Sequence, residues 1–175
     1  MPICHDYSTA EVLALLEAPL FELVDRARTL HLRFHAPYEM ELCALVNIKQ
    51  GGCSEDCGYC SQSSRHGGRP GEPMLKVEEV LAAAREAKAR GASRLCMGAA
   101  WPKPREGRSF DSVLDMVRAV KREGLETCVT LGLLTLDQAR ALKAAGLDVY
   151  NHNLDTSREY YPAVRTSAAP STGCR

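Results

Sequence analysis

VEEVLAAAREAKARGASRLCMGAAWPKPREGRSFDSVLDMVRAVKREGLETCVTLGLLTLDQARALKAAGLDVYNHN, residues 77–153, repeats one pattern three times. Val77–Arg90 has helical spacing, Gly91 follows, and Ser93–Met97 reads as a short strand. Phe110–Glu123, Gly124 and Thr127–Leu131 repeat the order, as do Leu136–Ala145, Gly146 and Asp148–Asn153. Each glycine stands where a helix ends in the left-handed conformation. An apolar run of strand composition, Met40–Ile48 (MELCALVNI), comes before the first repeat. One strand followed by three helix–strand pairs predicts βαβ units and a parallel sheet with right-handed crossovers. The loops after the strands hold the polar chemistry: Lys49–Pro73, Gly98–Trp101, Gly132 and Asn151–Thr156. Ligand sites of α/β sheets lie at the carboxyl ends of strands, so these four loops are expected on one face.

Upstream, residues 8–35 read as two short helices. Ser8 caps the first and Pro19 separates them. The chain has 175 residues, enough for a core. Lys+Arg and Asp+Glu each number 22, so no bulk charge favours nucleic acid or an anionic membrane. No apolar run is long enough to span a bilayer, and the first residues lack the pattern of a secretory signal. Eight cysteines without an export signal point to metal binding rather than a disulfide framework, and to a reducing cytoplasm.

Three of those cysteines, Cys53, Cys57 and Cys60, crowd one glycine-rich loop. Soft thiolates at this spacing suit iron–sulfur clusters or zinc. Three ligands without a fourth nearby suggest a four-iron cluster with one open iron; the competing occupant is zinc with His66 as its fourth ligand. Two further cysteines, Cys96 and Cys128, sit in successive strands. Alternation puts Cys128 and Thr130 on one face of their strand, and Asn151 and Asn153 on one face of theirs. Each of these two cysteines is read either as a metal ligand or as a small buried hydrophobe. Cys43 reads as core, His152 as a structural histidine, and Trp101 as packed beneath a loop.

The segment GGCSEDCGYCSQSSRH (51–66), with RLCMGAAW (94–101), TCVTLG (127–132) and YNHNLDTS (150–157), resembles the successive motifs of the radical S-adenosylmethionine superfamily and, within it, of the biotin synthases. The resemblance runs from about residue 40 to residue 160. It implies a TIM-type β/α barrel, of which about four units are recognisable here. It implies a 4Fe-4S cluster on Cys53, Cys57 and Cys60 whose open iron binds S-adenosylmethionine and yields a 5′-deoxyadenosyl radical. Tyr59 matches an aromatic near the adenine. Asn153 and Asp155 match polar contacts to the cofactor ribose, and Asn151 is a further candidate. Cys96 and Cys128 match two ligands of a 2Fe-2S cluster that donates sulfur to dethiobiotin. The resemblance also implies a flavodoxin or ferredoxin as electron donor and a homodimer for a full-length protein.

Proteins of that family are close to twice this length. Residues 1–39 are expected as a helical segment, 40–166 as a partial barrel, and 167–175 as a divergent tail. The tail SAAPSTGCR departs from the family pattern in the manner of a frameshift, an early stop or an incomplete gene model. The remaining 2Fe-2S ligands of the family, a cysteine and an arginine, have no counterpart, so impaired sulfur insertion is expected.

Overall fold

The computed structural model describes residues 6–165. Thr166 and the tail 167–175, together with Cys4 and Cys174, lie outside them. The chain divides into two compact units, Met1–Met40 and Glu41–Arg175.

The first unit is a helix pair, α1 (Thr9–Glu17) and α2 (Leu20–Phe34). Ser8 caps α1 as its sequence suggests. Its hydroxyl accepts from the Glu11 amide, and the Glu11 carboxylate accepts from the Ser8 amide at 2.8 Å. The reciprocal bonds satisfy two donors that would otherwise face water. Proline cannot continue a helix from within, and Pro19 sits at the N-cap of α2, which makes the break.

The second unit runs β1 (Cys43–Lys49), α3 (Val77–Ala89), β2 (Arg94–Ala99), α4 (Arg108–Arg122), β3 (Glu126–Thr130), α5 (Leu136–Ala144), β4 (Val149–Tyr150) and a short α6 (Tyr161–Val164). Its four strands are all parallel and lie in the order β1-β2-β3-β4. Right-handed crossovers between strands in sequential order put every connecting helix on the same side of the sheet. A doubly wound sheet would instead reverse its order and cover both faces. The α/β fold is therefore that of a partial β/α barrel.

One face of the sheet builds the core. Leu95, Met97, Val129 and Leu131 pack with Val80, Val113, Met116, Val117 and Val120 from α3 and α4, all within about 1% of full burial. Each such side chain contributes about 1.5–3 kcal/mol relative to exposure. The connecting helices α3, α4 and α5 leave the opposite face uncovered. Register aligns Leu45, Cys96, Cys128 and Val149 across all four strands on that face.

This arrangement corrects the reading of Cys43. The residue is exposed, because its position alternates with Ala44 and Val46, which take the helix-covered side. Strand four is also shorter than Asp148–Asn153. It is an edge, and only Val149 and Tyr150 pair with β3. The short helix α6 has no counterpart in the sequence expectations.

The loop into β4 is held by a polar lock. Thr127 is buried, and its amide and hydroxyl donate to one Asp148 carboxylate oxygen at 2.8 and 3.0 Å. Lys121 closes on the same carboxylate at 2.6 Å. Burial works to raise the Asp148 carboxyl, but the hydrogen bonds from Lys121 and Thr127 outweigh it and hold it below its ordinary value. A depressed folded value makes this stabilisation complete above the unfolded carboxylate pKa, about 3.9, and loses it as pH falls through the lower folded value. Asp148→Asn is expected to cost about 1.5–3 kcal/mol at neutral pH, the range for hydrogen bonds to charged groups. Urea unfolding at neutral and acid pH checks this: the variant should lose stability at neutral pH and show a smaller acid decline than the parent.

Candidate functional site

The polar loops gather at the carboxyl ends of the strands. The first is the segment between β1 and α3. At its entry Gly51 has φ +63°, and a Cβ there would meet the Pro70 carbonyl oxygen at 2.0 Å. Only glycine fits. The Gly51 amide donates to Gln62 Oε1 at 2.7 Å, and the Gly52 amide to the Arg69 carbonyl at 3.1 Å. Lys49 Nζ spans the Gly51 and Ala100 carbonyls at 2.8 and 3.1 Å, stapling this loop to the one after β2.

Inside this clasp the three cysteines are fixed by main-chain bonds. Cys53 and Ser63 form an isolated bridge: the Cys53 amide donates to the Gln62 carbonyl at 3.0 Å, and the Ser64 amide to the Cys53 carbonyl at 2.9 Å. The Cys60 amide donates to the Cys57 carbonyl at 3.0 Å, so Cys57–Cys60 is a tight turn. His66 Nε2 lies 2.7 Å from the Asp56 carbonyl oxygen and ties the loop to itself. All three thiols are half-buried and free of disulfides.

The fourth strand-end loop comes to meet them. The Tyr59 hydroxyl lies beside the Asp155 carboxylate; burial first, then the interaction with Asp155, pushes the phenol well above its usual range. Burial also pushes the Cys57 thiol up, opposed by the nearby Arg165 guanidinium and aided by Cys60, Asp155 and Glu55. Asp155 has φ +66°, and the Thr156 amide donates to the Leu154 carbonyl at 2.8 Å across it. A hydrogen bond spanning one residue at positive φ is a strained turn, seldom kept outside functional segments. Asn151 Nδ2 donates to Thr130 Oγ1 at 3.2 Å and to Asn153 Oδ1 at 3.4 Å, so the two asparagines do share a face. His152 takes the other side and stacks on Tyr150 with ring centroids 6.5 Å apart.

Two clasps that the sequence reading missed close the site. The Gly58 amide donates to the Val164 carbonyl at 3.0 Å, and Glu55 forms an ion pair with Arg165. Both guanidinium and carboxylate are mostly buried, at 12% and 20% side-chain exposure, which separates this pair from solvated surface bridges. A basic residue just after a polar strand-end loop was the available signal.

Cys96 and Cys128 are direct register partners on the helix-free face. Their thiols are neighbours; burial first, then the interaction with Cys128, pushes Cys96 up to about 11. They sit lower in the sheet than the cysteine loop, and Arg94, paired with Glu126 at 2.6 Å and Glu41 at 3.3 Å, lies beside them. Trp101 packs partly buried against the core, with its Nε1 enclosed and unpartnered.

Among the described residues no three His, Cys, Asp or Glu side chains converge tightly enough to share one metal ion. Three thiolates on a cluster each bind a separate iron, so they need not converge on a point. The donor set suits that arrangement: three free thiols on one well-bonded loop, soft ligands of the kind that select iron–sulfur centres.

The sequence profile described as Radical SAM superfamily matches residues 47–170, and this chain belongs to that superfamily. Within it, the chain is similar to biotin synthases. It is 56% identical over 161 residues to biotin synthase of Sorangium cellulosum (strain So ce56), covering 91% of this chain and 46% of that protein. It is 51% identical over 170 residues to biotin synthase of Beijerinckia indica subsp. indica, covering 95% and 52%. With biotin synthase of Nitrosococcus oceani it shares 56% over 164 residues, covering 93% and 47%. The chain thus spans about half the length of the curated relatives it matches. Among solved structures, methylornithine synthase (PylB) superposes with a TM-score of 0.71 at 18% identity, covering 94% of this chain and 49% of that one. HydG, a maturase of the FeFe-hydrogenase, gives 0.68 at 17%, covering 91% and 36%. At those identities the likeness concerns the fold. No helix among the described residues is long and apolar enough to cross a membrane.

Proposed function

We propose that this chain is the S-adenosylmethionine-cleaving portion of a biotin synthase-type enzyme, with residues 40–166 carrying the chemistry. The observation that supports it most is the meeting of Cys57, Tyr59 and Asp155, drawn from opposite edges of the sheet into one site. Cys53, Cys57 and Cys60 would hold three irons of a 4Fe-4S cluster and leave the fourth for S-adenosylmethionine. Bound there, the cluster supplies the electron that cleaves the cofactor and so makes hydrogen abstraction from an unactivated carbon available.

The protein's own part is positioning. Tyr59, 60% exposed beside the thiols, offers a ring to the adenine with its hydroxyl beside Asp155. Asp155, Asn153 and Asn151 present carboxylate and amide oxygens to ribose hydroxyls. The Glu55–Arg165 pair steadies the loop and keeps a cation near Cys57. Cys96 and Cys128 would be two ligands of a 2Fe-2S sulfur donor, with dethiobiotin as substrate, a flavodoxin or ferredoxin as reductant and the cytoplasm as compartment.

A second reading keeps the first cluster and changes the substrate. The register pair Cys96–Cys128 favours sulfur insertion, since an enzyme without a second cluster has no use for two thiols facing the same space. The test is anaerobic reconstitution of the chain with iron, sulfide and S-adenosylmethionine. With dithionite, methionine and 5′-deoxyadenosine should form, while dethiobiotin yields little or no biotin. Absence of cofactor cleavage by protein carrying full iron would sink the proposal.

A further inference from the structure

Cys57 is gripped on both flanks by one short segment. Two residues before it, the Glu55 carboxylate pairs with the Arg165 guanidinium. One residue after it, the Gly58 amide donates to the Val164 carbonyl oxygen at 3.0 Å. Val164 and Arg165 are consecutive, so the end of α6 brackets Cys57 with a main-chain bond on one side and an ion pair on the other. The Cys53 and Cys60 amides, by contrast, bond within the cysteine loop itself, to the Gln62 and Cys57 carbonyls.

The guanidinium is fixed in turn. The Arg165 amide donates to the Tyr161 carbonyl at 2.9 Å, and Arg165 Nη1 donates to the Tyr161 hydroxyl at 3.4 Å. Both charges of the pair are mostly buried. As a fastener alone such a pair is inefficient, because desolvating two charges offsets much of their attraction and an apolar pair of similar volume often holds as well. The Gly58–Val164 bond already ties the two segments. What the ion pair adds is charge: one cation and one anion at fixed positions, little screened by salt.

The potential of an iron–sulfur cluster responds to nearby charge, hydrogen bonding and exposure. A cluster that takes up an electron gains negative charge, which a fixed cation favours and a fixed anion opposes.

We propose that Arg165 and Glu55 set the reduction potential of the cluster held by Cys57, the cation raising it and the anion lowering it. They act through the cluster and are positioning residues. The inference rests on the assignment of Cys53, Cys57 and Cys60 as its ligands.

Mediated potentiometric titration of the anaerobically reconstituted chain, followed by electron paramagnetic resonance of the reduced cluster, reads the potential without turnover. Arg165→Gln leaves the anion uncompensated and is expected to disfavour reduction about tenfold, which for one electron is about 59 mV. Glu55→Gln leaves the cation uncompensated and should shift the potential upward by a similar amount. Arg165→Lys keeps the charge and should stay close to the parent. Both glutamine variants retain hydrogen-bonding atoms and the Gly58–Val164 bond, so iron and sulfide content should match the parent. Opposite signs distinguish charge from mechanics: a pair that only fastens the loop is broken by either substitution and would move both variants the same way. Shifts of the same sign overturn the proposal, as do unmoved potentials or loss of iron from both variants. A parent chain that assembles no four-iron cluster overturns the ligand assignment and this inference with it, whereas an intact cluster with unmoved potentials overturns this inference alone.

Discussion

Cys57→Ala should reduce reductive cleavage of S-adenosylmethionine to the background of protein without iron, with melting little changed. The thiol is half-buried in a tight turn whose bonds are main-chain, so truncation removes few contacts and leaves the Cys60–Cys57 hydrogen bond in place. On the proposed assignment, what it removes is the only protein ligand of one iron. A cluster short of a thiolate has two irons without protein ligands instead of one, and soft-ligand sites depend on every sulfur. Cys53→Ala and Cys60→Ala should do the same. Cys96→Ala should not, because its thiol lies elsewhere on the sheet, beside Cys128 rather than in the loop. Iron and sulfide content together with product chromatography decide the matter. Cleavage surviving any of the three loop substitutions would remove that cysteine from the ligand set.

Gly51→Ala should disorder the cysteine loop while leaving the sheet folded. The left-handed backbone costs a residue bearing Cβ about 1–2 kcal/mol. Crowding is the larger effect. The new Cβ would stand 2.0 Å from the Pro70 carbonyl oxygen and 2.5 Å from that of Arg69, both backbone atoms that cannot swing aside. Overpacking of this kind adds about 1–3 kcal/mol. The segment that must yield carries the Gly52–Arg69 and Glu72–Gln50 bonds, so the clasp opens. Gly67→Ala is the matched control, with φ +66° and nothing within 4 Å of its Cβ. It should pay the conformational cost alone and still bind iron. Amide exchange across residues 50–72 and iron content after reconstitution distinguish the two. Equal behaviour would mean that the Pro70 contact is not what excludes a side chain.

The fold was readable because its local signals agree. Gly91, Gly124 and Gly146 all adopt positive φ where the helices end, and the strands after Gly91 and Gly124 sit within a residue or two of expectation. Cys43 was misread because composition gives a strand's apolarity and not the direction it faces; only pairing with β2 shows which side the helices cover. Strand four was over-extended because Asn151 and Asn153 alternate correctly, yet a strand needs a neighbour and β4 has one only on its β3 side. The site was legible as motifs but not as contacts. Nothing local in NHNLDTS says that Asp155 reaches Tyr59, nor in PAVR that Val164 and Arg165 clasp the loop of Gly58 and Glu55.

That last clasp sets an order of events during synthesis. Gly58 and Glu55 emerge from the ribosome long before Val164 and Arg165, their partners at the far end of the sheet. Domains fold as their chains are made, but this loop cannot assume its final shape until β4 and α6 have followed. At roughly 5–20 residues per second, the loop holds only its own internal bonds for several seconds before this clasp can close. A nascent chain stalled before α6 would lack the Gly58–Val164 and Glu55–Arg165 contacts.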